Sequence, residues 1–480
     1  MVVQSVSELP LAKDFSSFIS VEASARKKSP LKSLLVFMKG NMISLGGGLP
    51  HPSTFPFTEL SSVVKSAPAG TTALKDTKKE NIETVSVPLD PTDGKVESLA
   101  ASLQYGGGLG MPSLRNFCKT HIESMHKPQY QDWEVIMTCG NTDSFTKALA
   151  LLLNRGDYIL IEKWAYPTAM ETIEPLGITA VPIPVDGEGI CPKALRQTLD
   201  NWGSEPHQTP ENKPRVAYLV PTGQNPTGAT MGLQRRRDIM AIAQQHNLII
   251  IEDDPYYYLQ FSIDDGWMPS LLSLDTDGRV IRLDSFSKTL APGCRVGYAT
   301  MNKQFREYFQ FHTEVTVQQP SGFSQAVLAE MLVGHWGQEG YTRYLTERVR
   351  IEYLNRSKFL QSCLRKYVNS ELISFVEPSA GMFIWLKVHV EKHPRHGQVT
   401  DSALMLELFN ACIAEDVLLT PGWQFSTKPK PQNADLSKVQ EFWFDDEATF
   451  LRATFAYADF PQMEKAAQSL GVAVTKAFAA

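Results

Sequence analysis

From residue 133 onward, short apolar, β-branched runs alternate with longer amphipathic stretches. EVIMTC (134–139), YILIE (158–162), TAVPIPV (179–185), VAYLV (216–220), LIIIEDD (248–254) and VIRLD (280–284) read as strands. TDSFTKALALLL (142–153) and LQRRRDIMAIAQQHN (233–247) read as helices between them. Strands alternating with helices predict an α/β fold, with a mostly parallel central sheet covered on both faces. Near residue 340 the pattern changes. The stretch 340–368 predicts one long amphipathic connector helix. ISFVE (373–377), GMFIWLKV (381–388), a helix around 402–414, VLLTP (417–421) and FLRATFA (450–456) then predict a smaller α+β domain. The expected organisation is an N-terminal arm and small-domain segment (1–60), a polar surface insertion (61–100), a large α/β domain (101–340), and a connector helix with a small C-terminal domain (341–480). Residues 67–95 are poor in large apolar groups and are expected to be partly mobile; KPKPQNADLSKVQ (428–440) is an expected loop.

Composition narrows the class. The chain has 480 residues, 43% hydrophobic and 20% charged, enough for a sizeable core in more than one structural unit. A net charge of −6 gives no nucleic-acid surface, and no apolar run reaches the length of a membrane span. The six cysteines are widely spaced with no CxxC pair, which favours reduced thiols over a zinc site. The first twenty residues lack a basic segment followed by an apolar core and contain Glu8 and Asp14, and the end AFAA is not a peroxisomal signal. The cytoplasm is the expected compartment.

The candidate chemistry sits where strands end. SFSK (285–288) follows VIRLD, and Arg295 comes seven residues after Lys288. A loop lysine is ordinarily just solvated; here it has neighbours suited to an anion. Ser285 and Ser287 offer hydroxyls and Arg295 a planar guanidinium, so Lys288 can be a Schiff-base lysine beside a phosphate site. CGNTD (139–143) places a strand-to-helix junction where free N–H groups attract anions, although Asn141 or Thr142 would serve equally as a plain N-cap. LIIIEDDPYYYLQF (248–261) ends an apolar strand in carboxylates, at the edge where α/β folds bind ligands; a turn would explain the same letters. PTGQNPTG (221–228) contains Asn225 before Pro226, a pair that admits either a trans or a cis bond. Tyr166 in EKWAYPTAM (162–170) follows a strand and can stack on a flat ring or fill core. Arg452 in FLRATFA lies in an apolar strand and needs an anionic partner, from a substrate or from the chain itself.

Taken in order, Tyr166, NPTG, DDPYY, SFSK, Arg295 and FLRATF resemble the fold-type-I pyridoxal-phosphate aminotransferases, and more narrowly the fungal aromatic amino-acid and 2-aminoadipate group with its kynurenine-using relatives. The resemblance runs from SARKKSPLK (24–32) and SLGGGLPHPSTFPF (44–57) to the C-terminal helix. It implies that pyridoxal 5'-phosphate is the cofactor and that residues 101–340 bind it. Lys288 matches the lysine of the internal aldimine, and Asp253 the partner of the pyridine nitrogen. Tyr256 and Asn225 match the pair that holds the ring hydroxyl, with a cis Asn225–Pro226 bond implied by the same resemblance, and Tyr166 matches the stacking aromatic. Ser285, Ser287, Arg295, Asn141 and Thr142 match the phosphate cradle. Tyr105, in LQYGGGLGMPSLR, matches a tyrosine that reaches the phosphate across a homodimer interface. Arg452 matches the arginine that binds the substrate α-carboxylate, and Gly48 a glycine lining the substrate pocket. Two departures stand out. GNTD occupies the place where kynurenine-using relatives carry Ser-Gln, a change that leaves backbone donors in place. Lys32 stands where relatives acting on acidic side chains place an arginine.

The resemblance implies ping-pong transamination of aromatic amino acids, and of 2-aminoadipate or kynurenine, with 2-oxoglutarate as acceptor. Substrates are expected to be small amino and 2-oxo acids, without nucleic-acid or membrane partners. One pocket must then take an aromatic ring and a carboxylate in turn. A cation on the N-terminal segment, Lys32 rather than Arg26 across Pro30, is expected to serve the acids. Two other readings use the same residues. A decarboxylase or lyase fits the fold and cofactor, although Arg452 would hold the carboxylate that must leave. A cofactor-sensing regulator would need a DNA-binding helix pair, which residues 1–100 do not spell.

Overall fold

The computed structural model describes residues 9–37, 39, 42–43, 45–68, 82–90, 94–428 and 445–479. Its strands in chain order are β1 (Glu59–Lys65), β2 (Ile82–Pro88), β3 (Trp133–Thr138), β4 (Tyr158–Glu162), β5 (Thr179–Ile183), β6 (Val185–Asp186), β7 (Gly189–Ile190), β8 (Val216–Leu219), β9 (Ile249–Asp253), β10 (Val280–Ser285), β11 (Gly297–Asn302), β12 (Ile373–Phe375), β13 (Phe383–Val388), β14 (Thr420–Pro421) and β15 (Phe450–Thr454). The chain divides into two compact units built from separated segments. One comprises Met1–Arg155, Asn247–Pro255 and Pro269–Arg348; the other comprises Gly156–His246, Tyr256–Met268 and Val349–Ala480.

In the first unit β3, β11, β10 and β9 lie side by side in that order. β9 and β10 are parallel, with Arg282 opposite Glu252 and Leu283 opposite Asp253. β11 is antiparallel to both of its neighbours. These strands are nearly continuous apolar runs because both faces are covered, so period-two alternation is absent. Helices Asn141–Leu152 and Lys303–Thr316 pack against them. Asn302 starts the second of these helices by accepting the Phe305 N–H at 2.8 Å. β1 and β2 form an antiparallel pair, with Val85 and Val87 buried. Part of the expected polar insertion is therefore ordered strand. Its signal is the alternation in IETVSV, which the surrounding polar letters obscure. Residues 69–81 and 91–93 lie outside the described residues.

In the second unit β8, β4 and β5 are parallel neighbours, and β6 and β7 form a short hairpin. The strands expected after residue 373 form an antiparallel sheet in the order β12-β13-β15-β14. Helices Asp401–Ala414 and Phe460–Ala479 share its core with Ile384, Leu386, Leu451, Leu408, Leu470 and Val474. The expected connector helix is helical throughout, but Tyr344–Val349 is a wider π-turn between Gly337–Arg343 and Arg350–Tyr367. The expected loop at 428–440 falls, apart from Lys428, on residues 429–444, outside the described residues. Among the described residues no helix is long and apolar enough to cross a membrane. All six cysteines are free.

Helix Phe460–Ala479 crosses the end of helix Arg350–Tyr367 at Gly471, where a Cβ would lie 2.1 Å from the Tyr367 carbonyl oxygen and 3.0 Å from its carbon. That obstacle is backbone and cannot swing away. Gly471→Ala is expected to lower stability by about 1–3 kcal/mol, through overpacking that outweighs the gain in helix propensity. The denaturant midpoint measures it; a midpoint equal to wild type would show that the helices separate at little cost.

Candidate active site

The carboxyl ends of β9 and β10 carry the first group of candidates. Asp253 ends β9 and Ser285 ends β10, with Ser287 and Lys288 in the turn that follows. The side-chain amide of Asn141 donates to Asp253 Oδ1 at 2.6 Å and to the Leu283 carbonyl at 3.1 Å. Asn141 is thus turned to the carboxylate rather than to an anion. Among the described residues its own Oδ1 is buried without a hydrogen-bond partner. Ser285 Oγ donates to Ser287 Oγ at 2.9 Å and accepts the Ser287 N–H at 3.1 Å, which fixes the turn before Lys288.

Arg295 closes this group from the other side. Its φ of 50° is left-handed, unusual for a residue with a Cβ. Its guanidinium donates to the Cys139 carbonyl at 2.8 Å and to the Pro292 carbonyl at 3.3 Å. Gly140 makes that approach feasible, since a Cβ there would come 2.9 Å from Arg295 Nη2. Helix Asn141–Leu152 starts at this point without a side-chain cap on its N-cap residue, Gly140. The N–H groups of its first turn have no intrahelical acceptor. An exposed guanidinium, two serine hydroxyls and an open helix start are a donor set for a phosphate.

Beneath these residues lies a buried charge network. Arg282 pairs with both oxygens of Asp284, at 2.9 and 3.0 Å, and lies 3.2 Å from Glu252 Oε1 and from Asp254 Oδ2. Burial pushes the Asp284 carboxyl up to about 6; Arg282 opposes the shift, and the charges of Glu252 and Asp253 add to it. Glu252 also accepts the N–H groups of Leu271 and Leu272, at 2.7 and 3.1 Å.

The second unit carries a separate group. Arg452 lies on β15 opposite Trp385 and Thr420. It donates to Asn225 Oδ1 at 2.7 Å and to Thr420 Oγ1 at 3.3 Å. The rings of Phe383 and Phe425 lie 4.5 and 4.8 Å from its guanidinium carbon. Burial pushes its pKa down, against the raising influence of Tyr256 and Tyr166. Among the described residues no carboxylate pairs with it. Tyr256 is buried edge-on against Phe383, and Tyr166 is half exposed. The Asn225–Pro226 bond is cis, as expected. Tyr105 and Gly48 are exposed, and Lys32 donates to Gln318 Oε1 at 3.0 Å, with Glu314 Oε1 at 3.8 Å.

The family described as aminotransferase class I and II matches residues 64–470. The chain belongs to this aminotransferase family. It is 38% identical to an aromatic amino acid aminotransferase of Schizosaccharomyces pombe, over 95% of this chain and 96% of that protein. It is 31% identical to the mouse mitochondrial kynurenine/alpha-aminoadipate aminotransferase, over 95% and 98%. The solved structure of an aminotransferase from Candida albicans superposes with a TM-score of 0.88 at 33% identity, covering 98% of this chain and all of that one. The family's cofactor is pyridoxal 5'-phosphate. The aminotransferase's first unit fits it: a carboxylate held by Asn141 for a basic ring nitrogen, and an open helix start with serines and an arginine for a phosphate. The Asn141–Asp253 contact and the support of Arg452 by Thr420, Phe383 and Phe425 were not legible beforehand, because they join residues far apart in the chain.

Asn141→Ala removes a charge-assisted hydrogen bond from Asp253, worth about 1.5–3 kcal/mol. The expected result is cofactor affinity weaker by about ten- to a hundredfold, read by titrating the apo-protein with pyridoxal phosphate. Unchanged affinity would show that Asn141 does not tune the carboxylate.

Proposed function

We propose that this aminotransferase moves the amino group of aromatic amino acids, and also of 2-aminoadipate and kynurenine, to 2-oxoglutarate. The donors are suggested by what the relatives are named for. The observation that carries the reading is Arg452: a partly buried cation with hydrogen bonds to Asn225 and Thr420, aromatic walls, and no carboxylate of its own among the described residues. A carboxylate common to every donor and acceptor would complete it through a bidentate pair.

The remaining roles follow from the side chains. When bound, the cofactor supplies an electron sink for the pair left on Cα as its proton departs. Lys288 Nζ holds the cofactor covalently and, when free, carries the proton to and from the substrate Cα. Asp253, kept in place by Asn141, holds a proton on the ring nitrogen. Tyr256 and Asn225 bind the ring hydroxyl, and Tyr166 covers the ring. Ser285, Ser287, Arg295 and Thr142, with the N–H groups at Asn141, bind the phosphate. Gly48 lines the substrate pocket, and among the described residues a Cβ there would meet nothing within 4 Å. Tyr105 reaches the phosphate of a second subunit, in a homodimer, and its exposure of 65% fits that use. Lys32 leaves Gln318 to meet acidic side chains. The cytoplasm is the proposed location.

Steady-state assays with phenylalanine, 2-aminoadipate and 2-oxoglutarate, following glutamate, test this reading. Wild type is expected to form glutamate from phenylalanine and 2-oxoglutarate. Arg452→Lys keeps the charge but loses the planar fork, and is expected to lower kcat/KM for all three substrates together, by about ten- to a hundredfold. Lys32→Ala is expected to raise KM for the two acids and leave phenylalanine nearly unchanged. No glutamate from phenylalanine would contradict the substrate assignment. Selective loss of one substrate in Arg452→Lys would contradict its role, and equal losses in Lys32→Ala would reject the cation.

A further inference from the structure

Asn225 sits in a loop that is held far more tightly than its turn letters require. Gln224, 1% exposed, uses every polar atom of its side chain. Its amide donates to the Trp164 carbonyl at 2.6 Å and to Glu162 Oε2 at 3.4 Å; its oxygen accepts the Thr227 N–H at 2.9 Å and the Thr227 hydroxyl at 2.7 Å. Its backbone closes the turn, donating to the Ala229 carbonyl and accepting the Gly228 N–H. Glu162, at the end of β4, also accepts the Val220 N–H at 3.2 Å. From the other flank, the fully buried Arg236 donates to the carbonyls of Pro221 and Met231 and to Thr222 Oγ1, at 3.0–3.1 Å. The loop also meets its neighbours backbone to backbone: a Cβ at Gly223 would lie 2.5 Å from Gly381 Cα.

We propose that Glu162 and Gln224 are positioning residues, which hold the loop so that Asn225 Oδ1 presents itself to Arg452. The inference rests on the reading of Asn225 and Arg452 given above. Asn225 is itself buried, and its one hydrogen bond to Arg452 spans 227 residues of chain. Its aim is therefore set by the loop, and the loop is set by Gln224. Buried amides with all four positions used admit one orientation, because any other leaves donors or acceptors unpaired at a cost of about 1–3 kcal/mol each.

Burial favours the neutral form of Glu162. It pushes the carboxyl up to about 8, against the Val220 N–H, Gln224 and the Ile190 N–H, which favour the charged form. Among the described residues its Oε1 has no partner in hydrogen-bond geometry. The charged groups on adjoining elements are engaged elsewhere: Lys163 with Glu447, and Arg235 with Asp186 and Glu188. Between the ordinary carboxyl value of 4.5 and about 8, the folded chain keeps a proton that the unfolded chain has released. Wild-type stability therefore falls as pH rises through that window, and Glu162→Gln lacks that slope.

The test compares Asn225→Ala, Gln224→Met, Glu162→Gln and Glu162→Leu in the holoenzyme, reading kcat and the visible absorption band of the bound cofactor, and adds apo-protein melting across pH. Gln224→Met is expected to shift the band in the same direction as Asn225→Ala and to lower kcat by about ten- to a hundredfold, the scale of a misplaced contact. Glu162→Gln keeps an acceptor for the Val220 N–H and Gln224, so it is expected to keep the wild-type band and kcat and to gain thermal stability over wild type up to about pH 8. Glu162→Leu removes that acceptor, is expected to shift the band as Gln224→Met does but more weakly, and carries the comparison should Gln224→Met not fold. If Asn225→Ala shifts the band while Gln224→Met and Glu162→Leu keep wild-type band and kcat, the positioning role is overturned. A silent Asn225→Ala overturns the reading of Asn225 itself, and the inference with it. A pH-independent melting difference overturns the neutral form of Glu162 and leaves the hydrogen bonds to Val220 and Gln224 to the Glu162→Leu comparison.

Discussion

A fully buried arginine in a parallel strand pair is the constraint on which the first unit depends. Arg282 of β10 meets both oxygens of Asp284 and lies within reach of Glu252 and Asp254, all of them shielded from water. Removing one member of such a set leaves a buried charge uncompensated, at about 3–5 kcal/mol. The register that brings Arg282 opposite Glu252 also brings Leu283 opposite Asp253, so the Asp253 carboxylate and the turn that carries Lys288 share one strand alignment. Asn141 ties the start of its helix to the same two strands, through Asp253 and the Leu283 carbonyl.

Arg452 shows the opposite solution. Arg282 is surrounded by acids of its own chain. Arg452 has neutral partners and two aromatic walls, and burial disfavours its charge. A structural arginine is satisfied by acids within its own chain, whereas Arg452 is supported by neutral groups and has no carboxylate beside it among the described residues. The two can be told apart only by their partners, since each sits in an apolar strand of the sequence.

The strands and the order of the chemical letters could be read from the sequence because each is local. Runs such as LIIIEDD and VIRLD mark strands covered on both faces, and SFSK followed by Arg295 marks a turn with a particular donor set. β2 was obscured because IETVSV lies among polar residues and only its alternation betrays it. Asn141 suited a phosphate by position, yet its amide goes to Asp253, 112 residues away. Glu162 and Gln224 gave no signal either, since a buried acid near the end of a strand and a glutamine in a turn gain meaning only from contacts across about sixty residues. What a helix start or strand end offers is written locally; where a side chain is aimed is decided by packing.

The central claim is that Lys288, at the turn after β10, bonds the cofactor. Borohydride reduction of the holoenzyme, followed by peptide mapping, tests it most directly. The account predicts a single phosphopyridoxyl-modified peptide containing Lys288. A modification on another lysine, or none in a protein that carries out transamination, would contradict it.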